Sequence, residues 1–129
     1  MKNENQEITK LLVSLRKEEY CYLTTTGRKS GNPHEIEIWF GIQGSSLYLL
    51  SGGGGDSDWV RNLRVNPNVT VRIAKYNFTG AARIGNEEKE ELMARHMLAG
   101  KYQSWKKGRK MSDWAETALV VAIDLQQGV

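Results

Sequence analysis

The amino-acid sequence predicts one α+β domain, a mostly antiparallel β-barrel with helices packed against its outside. Three observations predict it. About six short segments have strand character and follow one another in meander-like order. Helical stripes occur at the start, in the middle and near the end of the chain, and no helix lies between most pairs of successive strands, as the crossovers of a parallel sheet would require. With 129 residues, the chain has the size of one domain, expected to span 1–129.

The elements follow in order. From Glu7 to Glu19, Ile8, Leu11, Leu12 and Leu15 fall at the i, i+3, i+4, i+7 spacing of an amphipathic helix that would cover one side of the sheet. The barrel is expected over about 20–84. It begins with Tyr20 to Thr26, rich in β-branched and aromatic types, and the turn-forming GRKSGNP ends that strand. His34 to Ile42 alternates, with Ile36, Ile38 and Phe40 on one face and Glu35, Glu37 and Trp39 on the other. Gly44-Ser45-Ser46 leads into Leu47 to Ser51, and Gly52 to Gly55 then breaks the chain before a short helix, Asp58 to Val65, with Asp58 as its N-cap. Pro67 stops that helix; Asn68 to Ala74 and Phe78 to Ile84 read as a hairpin. Asn86 caps a helix over about 86–99 whose buried stripe is Leu92, Met93, Met97 and Leu98. Residues 101–113 form a basic, aromatic loop or broken helix, and the last strand is 117–125.

Composition narrows the function classes. Eighteen basic against fifteen acidic side chains give a net charge of +3, far from the dense basic footprint of a nucleic-acid module. Cys21 is the one cysteine, so an internal disulfide and a cysteine-based zinc site are excluded. The polar start and the lack of a long apolar run point to a cytoplasmic protein without stable membrane insertion. His34 and His96 have no partners at ligand spacing, so no metal is expected, and Glu35 and Glu37 read as solvent-facing rather than as a catalytic carboxylate pair.

Three segments carry more than structural content. The turn Thr24-Thr25-Thr26-Gly27-Arg28-Lys29-Ser30-Gly31 sets two cations and several hydroxyls on a bent backbone, which suits an oxyanion; it equally suits a solvated hairpin. Ser51-Gly52-Gly53-Gly54-Gly55 ahead of a helix allows close backbone approach beside unpaired amides, but lacks the ending of a P-loop. In Trp59-Val60-Arg61-Asn62-Leu63-Arg64, the two arginines share a helix face that is either solvated or turned to a ligand. Tyr102, Trp105, Lys106, Lys107, Arg109 and Lys110 read as a mobile lid or an exposed loop, with a membrane or nucleic-acid patch as the alternative.

Taken together, LTTTGRKSG, a strand ending IWF, LYLLSGGG and WVRNLRVNPNVTVRI resemble the deazaflavin-dependent nitroreductase and quinone reductase family of split-barrel flavoproteins, from Tyr22 to about Ile84. The resemblance implies an FMN-binding-type split β-barrel that binds coenzyme F420, whose side chain carries a phosphate and an acidic tail. By that resemblance Thr26, Arg28, Lys29 and Ser30 would hold the phosphate or tail. Ser51 and Gly52, Gly53 and Gly54 would line the phosphate and ring edge, and Trp59, Arg61 and Asn62 would close the site. Trp39, Tyr102 and Trp105 are the implied substrate-pocket residues, for a quinone, enone or nitro-type acceptor, and no single side chain is singled out as catalytic. The chain departs from the family at His34 and Gly52, where many relatives carry a cation, which leaves FMN as the alternative cofactor. A non-catalytic barrel that sequesters a cofactor or lipid is the reading from another class. A homodimer is the expected assembly.

Overall fold

The computed structural model describes residues 4–127; the polar start at Met1 to Asn3 lies outside them. The elements are α1 (Glu4–Leu15), β1 (Cys21–Thr26), β2 (Pro33–Ile38), β3 (Gly41–Gln43), β4 (Ser46–Ser51), a 3-10 turn (Gly54–Asp56) and α2 (Asp58–Val65), followed by β5 (Asn68–Ile73), β6 (Tyr76–Ile84), α3 (Glu88–Gln103), α4 (Asp113–Thr117) and β7 (Leu119–Gln127). All strand pairings are antiparallel, in the order β2-β1-β5-β6-β7-β4-β3. The sheet is a curled, split barrel of the predicted class.

It has seven strands rather than six. The expected strand from His34 to Ile42 is two strands on opposite edges of the sheet, joined by a corner at Trp39 and Phe40. Period-two alternation cannot reveal that corner, because Ile36, Ile38, Phe40 and Ile42 all keep to the inner side through it. The corner carries the chain from β2, paired to β1, across to β3, paired to β4.

Leu23, Leu49, Val71, Phe78 and Ile123 fill the barrel. Ile8, Leu12 and Leu15 of α1 and Val60 and Leu63 of α2 plug it, each such side chain contributing about 1.5–3 kcal/mol of burial. Tight coiling of β6 on β7 requires glycine at Gly80, where a Cβ would lie 2.6 Å from Ile123 Cγ2 and 2.7 Å from the Asp124 carbonyl. A second core lies outside the sheet, where Tyr48, Leu50, Val120 and Ala122 meet Ala94 and Leu98 of α3 and Ala118 after α4. Arg83 locks α3 down away from the site, through two bonds to Glu90 (2.6 and 2.7 Å) and one to Asp124 (3.2 Å).

Several boundaries move. The first helix is Glu4–Leu15, and Ser57 rather than Asp58 is the N-cap residue of α2. The middle helix starts at Glu88 behind Glu87, not Asn86, and runs on to Gln103. Its buried residues are Ala94, Leu98 and Ala99, while Leu92 is 45% exposed: small side chains let the helix lie close on the sheet, so the stripe is not the most hydrophobic set. The basic stretch is thus helical to Gln103 and again from Asp113, where Ser112 Oγ accepts the Ala115 N–H at 3.2 Å and caps α4. The last strand is correspondingly Leu119–Gln127. Among the described residues, no helix is long and apolar enough to cross a membrane, and no three His, Cys, Asp or Glu side chains converge as a metal site.

Candidate functional site

The Gly27–Ser30 turn leaves the end of β1 and folds over α2. Asn62, buried to 4% exposure, holds it there. Its Oδ1 accepts the Arg28 N–H (3.1 Å) and Arg28 Nη1 (2.8 Å), and its Nδ2 donates to Thr25 Oγ1 (3.2 Å). Arg28 Nη2 also bridges to Asp58 at 3.2 Å. The result is a cavity of about 470 Å³ lined by the turn, by His34, Glu35 and Ile36 of β2, and by Asp58, Trp59 and Asn62 of α2. Two segments separated by about thirty residues therefore form one basin with cations at its rim and Ile36 and Trp59 as apolar walls.

A second cavity, of about 350 Å³, continues along β2: Tyr20, Glu37, Ile38, Trp39, Leu50, Gln103 and Trp114 line it. Trp39 stacks on Tyr102 with ring centres 4.4 Å apart, and meets Trp114 edge-on at 5.5 Å. The corner backbone behind Trp39 is clamped from α3. Tyr102 Oη accepts the Phe40 N–H (3.0 Å) and shares its proton between the carbonyls of Phe40 (3.0 Å) and Glu19 (2.8 Å). Lys101 Nζ donates to the Phe40 carbonyl (3.1 Å) and sits 3.8 Å from the Phe40 ring centre. Burial pushes the Tyr102 phenol up and brings the Lys101 ammonium down to about 8. Arg95 holds α4, and with it Trp114, through the carbonyls of Ala115 (3.1 Å) and Ala118 (2.8 Å).

The residues singled out in the sequence divide accordingly. Arg28, Lys29, Ser30, Trp59 and Asn62 share the first cavity, and Trp39 lines the second, with Tyr102 stacked behind it. Ser51 is buried and braces the glycine loop, its Oγ donating to the Gly54 carbonyl (2.9 Å) and meeting Ser57 Oγ (2.8 Å). Gly52 lies against Trp114, Gly53 lies against Ser57 at the start of α2, and Gly54 takes a positive φ of 60°. Thr26 points to the outer face of the sheet, into a broad depression of about 600 Å³ lined also by Thr24, Thr70 and Thr79. That depression is larger but holds no cation, and suits an anionic ligand poorly. Arg61 is half-exposed and lies 3.9 Å from Asp56, outside both cavities. Trp105 stacks on His96 (4.4 Å) and donates to the Arg109 carbonyl (2.8 Å), away from Trp39.

Sequence reasoning overlooked Trp114 and Lys101. Trp114 had one available signal, the Ser112 cap that starts a helix within the basic stretch. Lys101 had none, since its partner is a backbone carbonyl sixty-one positions away.

Known proteins resemble this chain in sequence and in fold. An F420H(2)-dependent quinone reductase of Mycobacterium tuberculosis is 28% identical over 64 residues, covering 47% of this chain and 43% of that protein, so the match spans less than half of the relative's length. A solved protein of Bacteroides thetaiotaomicron named for 5-nitroimidazole antibiotic resistance superposes with a TM-score of 0.70 at 19% identity, over 98% of this chain and 82% of that one. An F420-H2 dependent reductase superposes at 0.62 with 21% identity, over 81% of this chain and 93% of that one. At such identities these likenesses speak for the fold. A match of the family model to residues 2–123, nearly the whole chain, settles the family: the chain belongs to the F420H(2)-dependent quinone reductase family.

Proposed function

We propose that the protein is a reductase that uses reduced coenzyme F420 and acts on a quinone, enone or nitro-type organic acceptor. The observation that carries this reading is the pairing of two cavities along β2, one with a cationic rim and the other with an aromatic wall. The residues present fit the cofactor's chemistry. Lys29, Ser30 and the turn amides offer donors to a phosphate or carboxylate, and Ile36 and Trp59 offer an apolar slot for a ring. When bound, the reduced deazaflavin supplies a hydride equivalent; the protein supplies binding, orientation and electrostatics.

Each residue then has a task. Asn62 shapes the turn and aims Arg28, whose charge is partly met by Asp58. Lys29 is the more accessible cation for the cofactor's anionic end. Ser51 braces the glycine loop, whose Gly52 lies against Trp114 and would leave room there for a ring edge to meet backbone. Trp39 and Trp114 present flat apolar surface to a planar acceptor and exclude water, and the Gln103 amide and indole N–H groups are the donors available to its developing negative charge. Tyr102 keeps its hydroxyl on the backbone and orients Trp39.

FMN remains a second reading because the cation set is smaller than the sequence implied, with Arg28 tied to Asp58 and Arg61 outside the cavity. Stopped-flow oxidation of each reduced cofactor by menadione, with and without protein, tests both. Acceleration with the deazaflavin supports the proposal, acceleration with FMN alone replaces it, and acceleration with neither leaves a non-catalytic barrel.

A further inference from the structure

We infer that His34 binds the anionic end of the ligand in the turn cavity and couples its affinity to proton uptake. The inference rests on the cofactor reading above for the identity of the ligand, and on the following geometry for the residue.

His34 pairs across the sheet with Thr25, as Ile36 pairs with Leu23 and Ile38 with Cys21. It therefore belongs to the inward face of β2, yet it stands at the open end of the strand, where the cavity meets solvent. Its imidazole lies over Gly27: a Cβ there would come within 2.6 Å of His34 Nε2 and 2.7 Å of Ser30 Oγ. Two polar side-chain atoms thus flank the same spot above the turn.

Among the other charged groups lining the cavity, Arg28 is bound to Asp58 and Asn62, and Glu35 stands 3.9 Å from Arg72. Among the described residues, Lys29 and His34 have no such partner. A lysine ammonium is a fixed charge in this range, whereas an imidazole gains or loses one within it. A protonated His34 gives the anion a second uncommitted cation and a charge-assisted donor next to Ser30; a neutral one leaves Lys29. The ligand class is a phosphate or carboxylate oxygen, and anion binding takes up a proton at this residue.

The chain has two histidines, which makes the test direct. Imidazole proton resonances are followed by NMR against pH, with and without deazaflavin, while His96, stacked on Trp105, serves as internal control. Deazaflavin should raise the His34 midpoint and leave that of His96 in place, and by linkage affinity should be about tenfold tighter near pH 6 than near pH 8. His34→Gln should abolish that pH dependence, and His34→Arg should bind tightly across the range. FMN in place of deazaflavin assigns the partner: a shift with both marks the phosphate, a shift with the tailed cofactor alone marks its carboxylates. Deazaflavin binding with an unmoved His34 midpoint, or an unaltered pH profile in His34→Gln, overturns the inference and leaves the cofactor reading standing. Should deazaflavin not bind, the cofactor reading falls, and sulfate, whose charge is fixed here, decides the residue: a His34 midpoint unmoved by sulfate overturns the inference as well.

Discussion

The two ends of the site are built in opposite ways. The basic end is local: a short turn and a short helix, each a continuous run of sequence, are joined by one buried side chain, Asn62. The aromatic end is assembled from Trp39 at a strand corner, Tyr102 at the end of α3 and Trp114 on α4, and its clamp consists of bonds to backbone atoms. The basic end therefore hangs on one buried side chain, with the more exposed Arg28–Asp58 bridge beside it, whereas the aromatic end spreads its support over several contacts. Substitutions at the two ends should separate cofactor binding from acceptor handling.

The largest effect is expected at Asn62. Asn62→Ala removes three side-chain hydrogen bonds and leaves the buried Thr25 hydroxyl and the Arg28 amide without their partner, so stability should fall by about 2–3 kcal/mol in urea unfolding and cofactor affinity should fall with it. Asn62→Asp keeps the acceptor for Arg28 and should lose less. If Asn62→Ala unfolds like the unmodified protein, the turn is held by something else and the contrast between the two ends fails.

Lys29→Ala comes next. The side chain is exposed and lines the cavity, so folding should be unchanged while cofactor affinity drops by about 1.5 kcal/mol, the lower end for a hydrogen bond to a charged group. The loss should shrink as salt is raised. An equal dissociation constant for both proteins at low salt would take this turn out of the binding site.

How far each end was legible follows from the same contrast. The turn, the glycine loop and the W-x-x-N helix announce themselves because each is contiguous, whereas the role of Asn62 as a bracket between turn and helix is visible only in the fold. The alternation that placed Trp39 apart from the inward set was readable, but the corner that aims it was not, because the period of two runs on through Phe40. Trp105 was more conspicuous than Trp114 in a basic, aromatic stretch, and nothing local shows that α3 continues to Gln103 and turns Trp105 onto His96. Long-range backbone partners, such as Phe40 for Lys101, leave no trace in spacing.

Trp39→Ala tests the aromatic end by itself. It removes a stacked and an edge contact outside the two buried cores, so acceptor KM should rise by about fivefold, an aromatic contact of about 1 kcal/mol, with cofactor affinity nearly intact. A loss of several kcal/mol in folding stability would instead show that Trp39 acts as a core residue.

The smallest effect is a pH dependence at the clamp, and its sign is fixed. Burial lowers the Lys101 ammonium to about 8 from an ordinary value of 10.5, so between those values the unfolded chain holds more of this proton than the folded one. This group's contribution is therefore fully present above 10.5 and is lost as pH falls through about 8; stability should climb with pH across that window. Other lysines and tyrosines titrate in the same range, so the measurement is a difference: thermal melts of the unmodified protein against Lys101→Met, which keeps the apolar stem and removes the titrating group. The unmodified protein should gain on the variant as pH rises. A constant difference across the window would mean that Lys101 keeps its proton in the fold, with the Phe40 carbonyl and the Phe40 and Tyr102 rings compensating its desolvation.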